Sequence, residues 1–338
     1  MPSAFVAGCA GLSFSDAERR FFRDAGPCGF ILFQRNCETP EQVRRLTDEF
    51  REAAGTDRTL VLVDQEGGRV QRMAPPQWRE LPAAQAFADL YREDPERATD
   101  TARAVARLCA HDLKRAGINM NCVPVLDVPA PDGHEIIGTR AYGSDVATIV
   151  ALGRAVAEGH LAGGVSPVIK HLPGHGRATV DSHLSLPRVN AGLADLETID
   201  FAPFRQLNTL PAGMTGHVVY EALDAHECAS TSATVIGETI RGHIGFDGLL
   251  MSDDLSMKAL DGDMRDRTAR VLAAGCDVAL HCNGDMAEME AVASVAPELN
   301  GASKARYAAV FGAIANAQPL DITAAEAALK DVFTMAAV

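Results

Sequence analysis

Aromatic residues make up only 5% of the chain, with one tryptophan and four tyrosines, and basic residues are outnumbered, 31 against 45 acidic. The resulting formal charge of −14 would repel a phosphate backbone, so nucleic acid is excluded as an expected partner. The eight cysteines (9, 28, 37, 109, 122, 228, 276 and 282) contain no C-x-x-C pair. Several stand inside apolar runs such as Asn121-Cys122-Val123, which points to reduced core thiols and a cytoplasmic setting. No apolar stretch is long enough to span a bilayer, and no membrane partner is expected. The apolar start, Met1 to Gly11, has no basic residue before it and is short, so it reads as a first strand and not as a signal peptide. A Pro/Gly/Ser linker and an internal repeat are also missing. The 338 residues are therefore expected to form one catalytic domain, 1–338, with an Ala-rich helical end from about residue 287.

What is present is a recurrence of short β-type runs: 4–9, 29–33, 60–64, 119–128, 167–171, 213–220, 248–252 and 277–282. Helical patterns lie between them. One opens at Pro95, continues through Ala98 to Leu108 and stops near Gly117. Most of the runs are continuously apolar, as parallel strands covered on both faces should be. Eight strands alternating with helices suggest a (β/α)8 TIM-type barrel, although a doubly wound open sheet would give the same periodicity.

Several of these strands end in polar groups on the side where a barrel builds its site: Asp64-Gln65-Glu66-Gly67-Gly68-Arg69, Asp127, Lys170-His171, Thr215-Gly216-His217 and Ser252-Asp253-Asp254. One such carboxylate is commonly a helix cap. Five groups converging on one mouth suit a polyhydroxylated ligand, whose hydroxyls both donate and accept. The segment from Lys170 to His183 carries three further signals, since its glycines and proline describe a shaped loop and it holds His171, His175 and His183. These histidines could ligate a metal, but no H-x-x-x-H helix or nearby cysteine supports that, and no metal or cofactor is expected. Acid/base chemistry is the alternative. Asp181 and His183 are two apart, so on an extended segment the carboxylate can accept one imidazole N–H, fix the tautomer and raise the basicity of the ring. An exposed histidine beside a turn-capping aspartate remains the other reading of that pair.

Taken together, Lys170-His171-Leu172-Pro173-Gly174-His175-Gly176 with Asp181-Ser182-His183, Asp64-Gln65-Glu66-Gly67-Gly68-Arg69-Val70-Gln71-Arg72, and Ser252-Asp253-Asp254-Leu255-Ser256-Met257 resemble the motifs of the family 3 glycoside hydrolases. The resemblance is to the short bacterial β-N-acetylglucosaminidases of peptidoglycan recycling, and it extends from about residue 4 to 285. It implies Asp253 as nucleophile, His183 as acid/base, Asp181 as its orienting carboxylate, and Asp64, Arg72, Arg140, Lys170 and His171 as sugar-binding groups. It also implies GlcNAc-containing muropeptides as small-molecule substrates, a retaining mechanism through a glycosyl-aspartate, and no cofactor. Histidine, with an unperturbed pKa of about 6.5, suits proton transfer near neutrality. The sequence departs from the group at Ala141-Tyr142, where Ser-Phe is common, at Gly216, where Ala is usual, and in His281-Cys282-Asn283-Gly284-Asp285, which reads as core or capping. A phosphorylase using the same residues, a β-glucosidase, a sugar-binding barrel without catalysis, and attack by the substrate's own acetamido oxygen are the alternatives.

Overall fold

The apolar runs of the sequence are buried on both sides, and the two sides belong to two different cores. In the computed structural model, which describes residues 1–131, 133, 135–178, 180 and 185–335, Val6, Leu60, Leu62, Met120, Met251, Val278 and Leu280 pack with one another in one core. Their strand neighbours Phe5, Val61, Val63, Leu250 and Ala279 pack in a second one with the helices. This division follows from the two-residue period of a strand, which sends alternate side chains to opposite faces. It is the signature of a sheet rolled around its own interior and wrapped by helices.

The strands are β1 (Ser3–Ala7), β2 (Pro27–Leu32), β3 (Leu60–Val63), β4 (Met120–Asn121), β5 (Ser166–Pro167, resuming as Ile169–Leu172), β6 (Ala212–Thr215), β7 (Leu249–Asp254) and β8 (Val278–His281). All pair in parallel. The first piece of β5 pairs with β4 and the second with β6, so β5 closes the circle. A bridge between Val125 and Lys170 continues the β4–β5 seam toward the mouth. The fold is the eight-stranded barrel expected from the sequence, and the open sheet is excluded. The expected fourth strand, 119–128, is regular over Met120–Asn121 alone; beyond it the pairing with β5 goes on irregularly, through Val123 O, Pro124 O and the Leu126 N–H, since Pro124 has no N–H to donate.

The helices begin and end where local chemistry directs. In α1 (Asp16–Ala25), Ser15 and Glu18 form a reciprocal capping box, and in α2 (Pro40–Ala54) Thr39 accepts the N–H of Gln42 with proline at the first position. Between β3 and β4 stand α3 (Ala84–Glu93) and α4 (Pro95–Arg115). Gly117, at φ +82°, follows α4 so closely against α2 that a Cβ would lie 2.1 Å from Thr47 Oγ1. The circuit continues with α5 (Val146–Ala162), α6 (Ala202–Gln206), α7 (Val235–His243, with wide i→i+5 turns) and α8 (Met264–Ala274). After β8 come α9 (Met286–Ala293), capped by Asp285, α10 (Gly301–Ala313) and α11 (Ile322–Met335). The last helix is held to the α3–α4 face by Arg79–Glu326 and Arg97–Asp331. Among the described residues no helix is long and apolar enough to cross a membrane.

Candidate active site

Beyond β3 the chain stays extended, so Asp64 and Glu66, two apart, reach the same side while Gln65 points away. Gln65 is buried and works on the backbone. Its carbonyl oxygen accepts the N–H groups of Arg72 and Met73, each at 3.0 Å, and its amide donates to Met73 O, which folds the hairpin 65–71 back and brings Arg72 over the mouth. Arg72 also lies over the Phe33 ring, 5.1 Å from its centroid.

From β5, Lys170 Nζ reaches Asp64 Oδ1 at 2.9 Å and Glu66 Oε1 at 2.7 Å. Arg72 holds the other oxygen of Asp64 at 3.1 Å, and Arg140 grips Glu66 with two parallel bonds of 2.7 and 2.8 Å. Three cations and two anions thus form one chain: Arg72, Asp64, Lys170, Glu66, Arg140. Burial alone would raise both carboxyl groups. Lys170 and Arg72 outweigh that for Asp64 and hold it well below the usual carboxylate range, while Lys170 and Arg140 hold Glu66 down at about 2.

His171 is fixed by Asp127. Its Nδ1 lies 2.6 Å from Asp127 Oδ2, and Asp127 Oδ1 accepts the backbone N–H groups of His171 and His175 at 3.1 and 2.6 Å. Asp127 is fully buried, yet the charge and hydrogen bonds of these histidines overcome desolvation and keep it at about 2. With Nδ1 engaged, Nε2 of His171 is left for the cleft. The adjoining turn is pressed against β4's extension: a Cβ on Gly176 would sit 1.8 Å from Val128 O, so only glycine fits. Tyr220 donates its hydroxyl to Gly174 O, and Arg177 Nε meets Asp200 at 2.7 Å, which staples the turn from two further directions.

At the end of β7 the two adjacent aspartates divide. Asp254 is spent on structure, accepting Ser256 N and Cys282 N at 3.0 and 3.1 Å and the Ser256 hydroxyl besides. Asp253 accepts only the N–H of Asp254, at 2.9 Å, among the described residues. Its burial would raise its pKa, but His217, His171, the Asp254 N–H and Lys170 outweigh this, so the carboxyl stays below its ordinary value and ionised.

These groups line one cleft of about 180 Å³ at the C-terminal end of the strands. Asp64, Arg72, Arg140, Lys170, His171 and Asp253, all singled out in the sequence, meet there. Asp181 and His183 lie outside the described residues. Glu66, Asp127 and His175 were not singled out as site residues; the i, i+2 relation of Glu66 to Asp64 was the available signal. Tyr142 is buried against Phe87 and absent from the cleft wall, so the Ala141-Tyr142 departure sits behind the site. Among the described residues there is no group of three or more His, Cys, Asp or Glu placed to hold a metal ion.

Residues 6–310 match the glycosyl hydrolase family 3 N-terminal domain. The chain belongs to this family. A protein called β-hexosaminidase in Alkalilimnicola ehrlichii is 39% identical over 282 residues, 82% of this chain and 80% of that one. Another β-hexosaminidase, from Thiobacillus denitrificans, is 35% identical over 312 residues, 91% of this chain and 86% of the relative. Among solved structures, NagZ from Neisseria gonorrhoeae in complex with N-trifluoroacetyl-D-glucosamine aligns with TM-score 0.88 and 31% identity, covering 98% of both chains. A family 3 β-N-acetylglucosaminidase from Paenibacillus sp. aligns with TM-score 0.86 and 28% identity over 98% of this chain and 67% of that one. As a family 3 member the protein is a glycoside hydrolase.

Proposed function

We propose that this family 3 hydrolase is a retaining β-N-acetylglucosaminidase that removes terminal β-linked N-acetylglucosamine from small glycans, peptidoglycan fragments in particular. The observation that carries the reading is the state of Asp253: an ionised carboxylate on the cleft wall with its lone pairs almost unspent. A carboxylate in that condition is a nucleophile in waiting, whereas Asp254, one residue on, already accepts three hydrogen bonds. The cleft's volume, about 180 Å³, is below the roughly 300 Å³ at which pockets for drug-sized ligands begin, and suits one sugar ring. The names of the relatives and the acetamido-sugar analogue in the neisserial structure favour the hexosamine.

In this reading an oxygen of Asp253 attacks the anomeric carbon, the glycosidic C–O bond breaks, and the leaving oxygen takes a proton from His183, oriented by Asp181. Water then gives a proton to His183, its oxygen bonds to the anomeric carbon, and the Asp253 ester breaks, releasing the sugar with retained configuration. Asp64, Arg72, Arg140, Lys170 and His171 bind the ring hydroxyls and the acetamido group. Their charges are already mutually oriented, so little reorganisation remains when substrate arrives. The eight cysteines are all free thiols, seven of them buried, which supports a reducing compartment and hence cytoplasmic work on fragments brought inward.

The test is intact-protein mass spectrometry after exposure to a 5-fluoro N-acetylglucosaminyl fluoride, with peptide mapping, in wild type and Asp253→Ala, and product analysis with and without phosphate. A sugar adduct on Asp253 and free N-acetylglucosamine as product are expected. Turnover without an adduct would sink the nucleophile assignment, and a sugar phosphate would make the enzyme a phosphorylase.

A further inference from the structure

Among the described residues one Phe, Tyr or Trp lines the cleft, Phe33, the first residue past β2, and the proposed chemistry does not use it. Its surroundings fix it in place. The backbone N–H goes to Asn36 Oδ1 at 2.9 Å, and the buried Asn36 amide is tied in turn to Cys9 O and Gly11 O, at 3.2 and 2.8 Å, past the end of β1. The side chain packs against the core enclosed by the strands. Over the ring stands Arg35, 5.1 Å from the centroid. Arg35 has no carboxylate partner among the described residues. Its Nε donates to Cys9 O at 3.0 Å and its Nη2 to Cys282 O, so it bridges the chain beyond β1 and beyond β8. Gly8 leaves room for that bridge, since a Cβ there would lie 2.4 Å from Cys282 O and 3.1 Å from Arg35 Nη2.

The same ring carries a second guanidinium, that of Arg72, also 5.1 Å from the centroid. The cations of the cleft differ in how firmly hydrogen bonds hold them. Lys170 meets two carboxylates, and Arg140 has its two parallel bonds to Glu66 and a third to Ile136 O at 3.2 Å. The guanidinium of Arg72 has one, from Nη2 to Asp64 Oδ2 at 3.1 Å, and its Nε–H is buried with no acceptor among the described residues. A single bond at one tip fixes a point and leaves the plane free to turn about it, and an unpaired buried donor works against the observed pose. The aromatic face supplies the missing constraint. Guanidinium groups stack on rings, and the attraction grows as the pair is withdrawn from water.

We infer that Phe33 is a positioning residue for substrate binding: its ring, shared with the anchored Arg35, sets the plane in which Arg72 meets the sugar. This rests on Arg72 being a sugar-binding group and deepens that assignment. Sugar affinity then depends on the aromatic face at position 33 and not on the bulk of the side chain.

The test is a double-mutant cycle on the full chain, made of Phe33→Leu, Arg72→Met and the two together. The readouts are the inhibition constant of free N-acetylglucosamine, and kcat and KM for 4-nitrophenyl N-acetyl-β-D-glucosaminide. Phe33→Leu should weaken the inhibitor and raise KM by about three- to tenfold, with kcat within about twofold of wild type. Phe33→Tyr, which keeps the aromatic face, should stay within about twofold of wild type in every constant. With Arg72→Met already in place, Phe33→Leu should change the inhibition constant and KM by less than about 1.5-fold. Phe33→Met, which keeps the bulk, should behave as Phe33→Leu does and carries the test if the leucine variant does not fold. Wild-type constants in Phe33→Leu would overturn the inference. An undiminished Phe33→Leu penalty beside Arg72→Met would overturn it too, by showing that the ring acts on the sugar without Arg72, and so would an equal loss in Phe33→Tyr, by showing that only packing matters. Each of these leaves Arg72 standing as a sugar-binding group. Arg72→Met that binds N-acetylglucosamine as wild type does would instead sink that assignment, and the inference with it.

Discussion

On the β3–β5 side of the cleft every charge has a partner, and Arg72, Asp64, Lys170, Glu66 and Arg140 follow one another at 2.7 to 3.1 Å. On the β7 side Asp253 holds a single backbone N–H among the described residues. Both sides bury carboxylates, but they put the burial to different ends. Mutually paired ions are fixed in place and ready to orient a ligand, while a lone ionised carboxylate backed by cations keeps its lone pairs for a bond yet to form.

The sharpest way to break this comparison is to remove one member from each side. Asp253→Ala should lower kcat by a factor on the order of 10⁴ or more, with a thermal midpoint near that of wild type, because only the Asp254 N–H loses a hydrogen-bond partner. Glu66→Ala should do the reverse in emphasis. Lys170 and Arg140 lose a shared anion, and urea unfolding should report a loss of about 3–5 kcal/mol. A large stability loss in Asp253→Ala with none in Glu66→Ala would reverse the assignment of the two sides.

Acid titration sharpens the same contrast. Glu66 and Asp127 are both held at about 2 in the folded protein, against ordinary values of 4.5 and 3.8. Folded pKa values below unfolded ones mean stability that is complete above about pH 4.5 and lost as pH falls through about 2. The variants Glu66→Ala and Asp127→Ala should therefore each show a shallower fall in unfolding free energy between pH 4.5 and 2.

Asp254 makes a smaller test of the division between adjacent aspartates. Asp254→Ala strands the N–H groups of Ser256 and Cys282 and should cost about 1–3 kcal/mol, measured by denaturant unfolding. The smallest effect belongs to Gly216→Ala. The added methyl would meet His171 Cβ and His175 at 3.3 Å, a contact relieved by a few tenths of an ångström, so a cost below about 1.5 kcal/mol and little change in KM are expected.

Legibility in the sequence was uneven for physical reasons. Asp64, Lys170 and Asp253 were legible because each ends an apolar run, and in a barrel the end of a strand is the mouth. Glu66 and His217 were in view in the same runs, but nothing in one dimension says that Glu66 faces both Lys170, 104 residues on, and Arg140, 74 residues on. The shortening of β4 was hidden for a similar reason, since 122–126 is largely apolar and buried, and irregular pairing looks the same in sequence as a regular strand.

Sequence alone determined eight doubly buried runs alternating with capped helices, because burial on both faces and the stop signals of helices are written locally; that they close into a barrel and not an open sheet was decided by the strand pairing. Sequence also determined which motifs stand at the strand ends. The tertiary structure alone decided how the charges are used: that Asp254 is tied and Asp253 is free, and that Asp127 orients His171. Pairing is a property of distance between strands far apart in the chain, and a carboxylate's chemistry is set by which of its lone pairs are already taken.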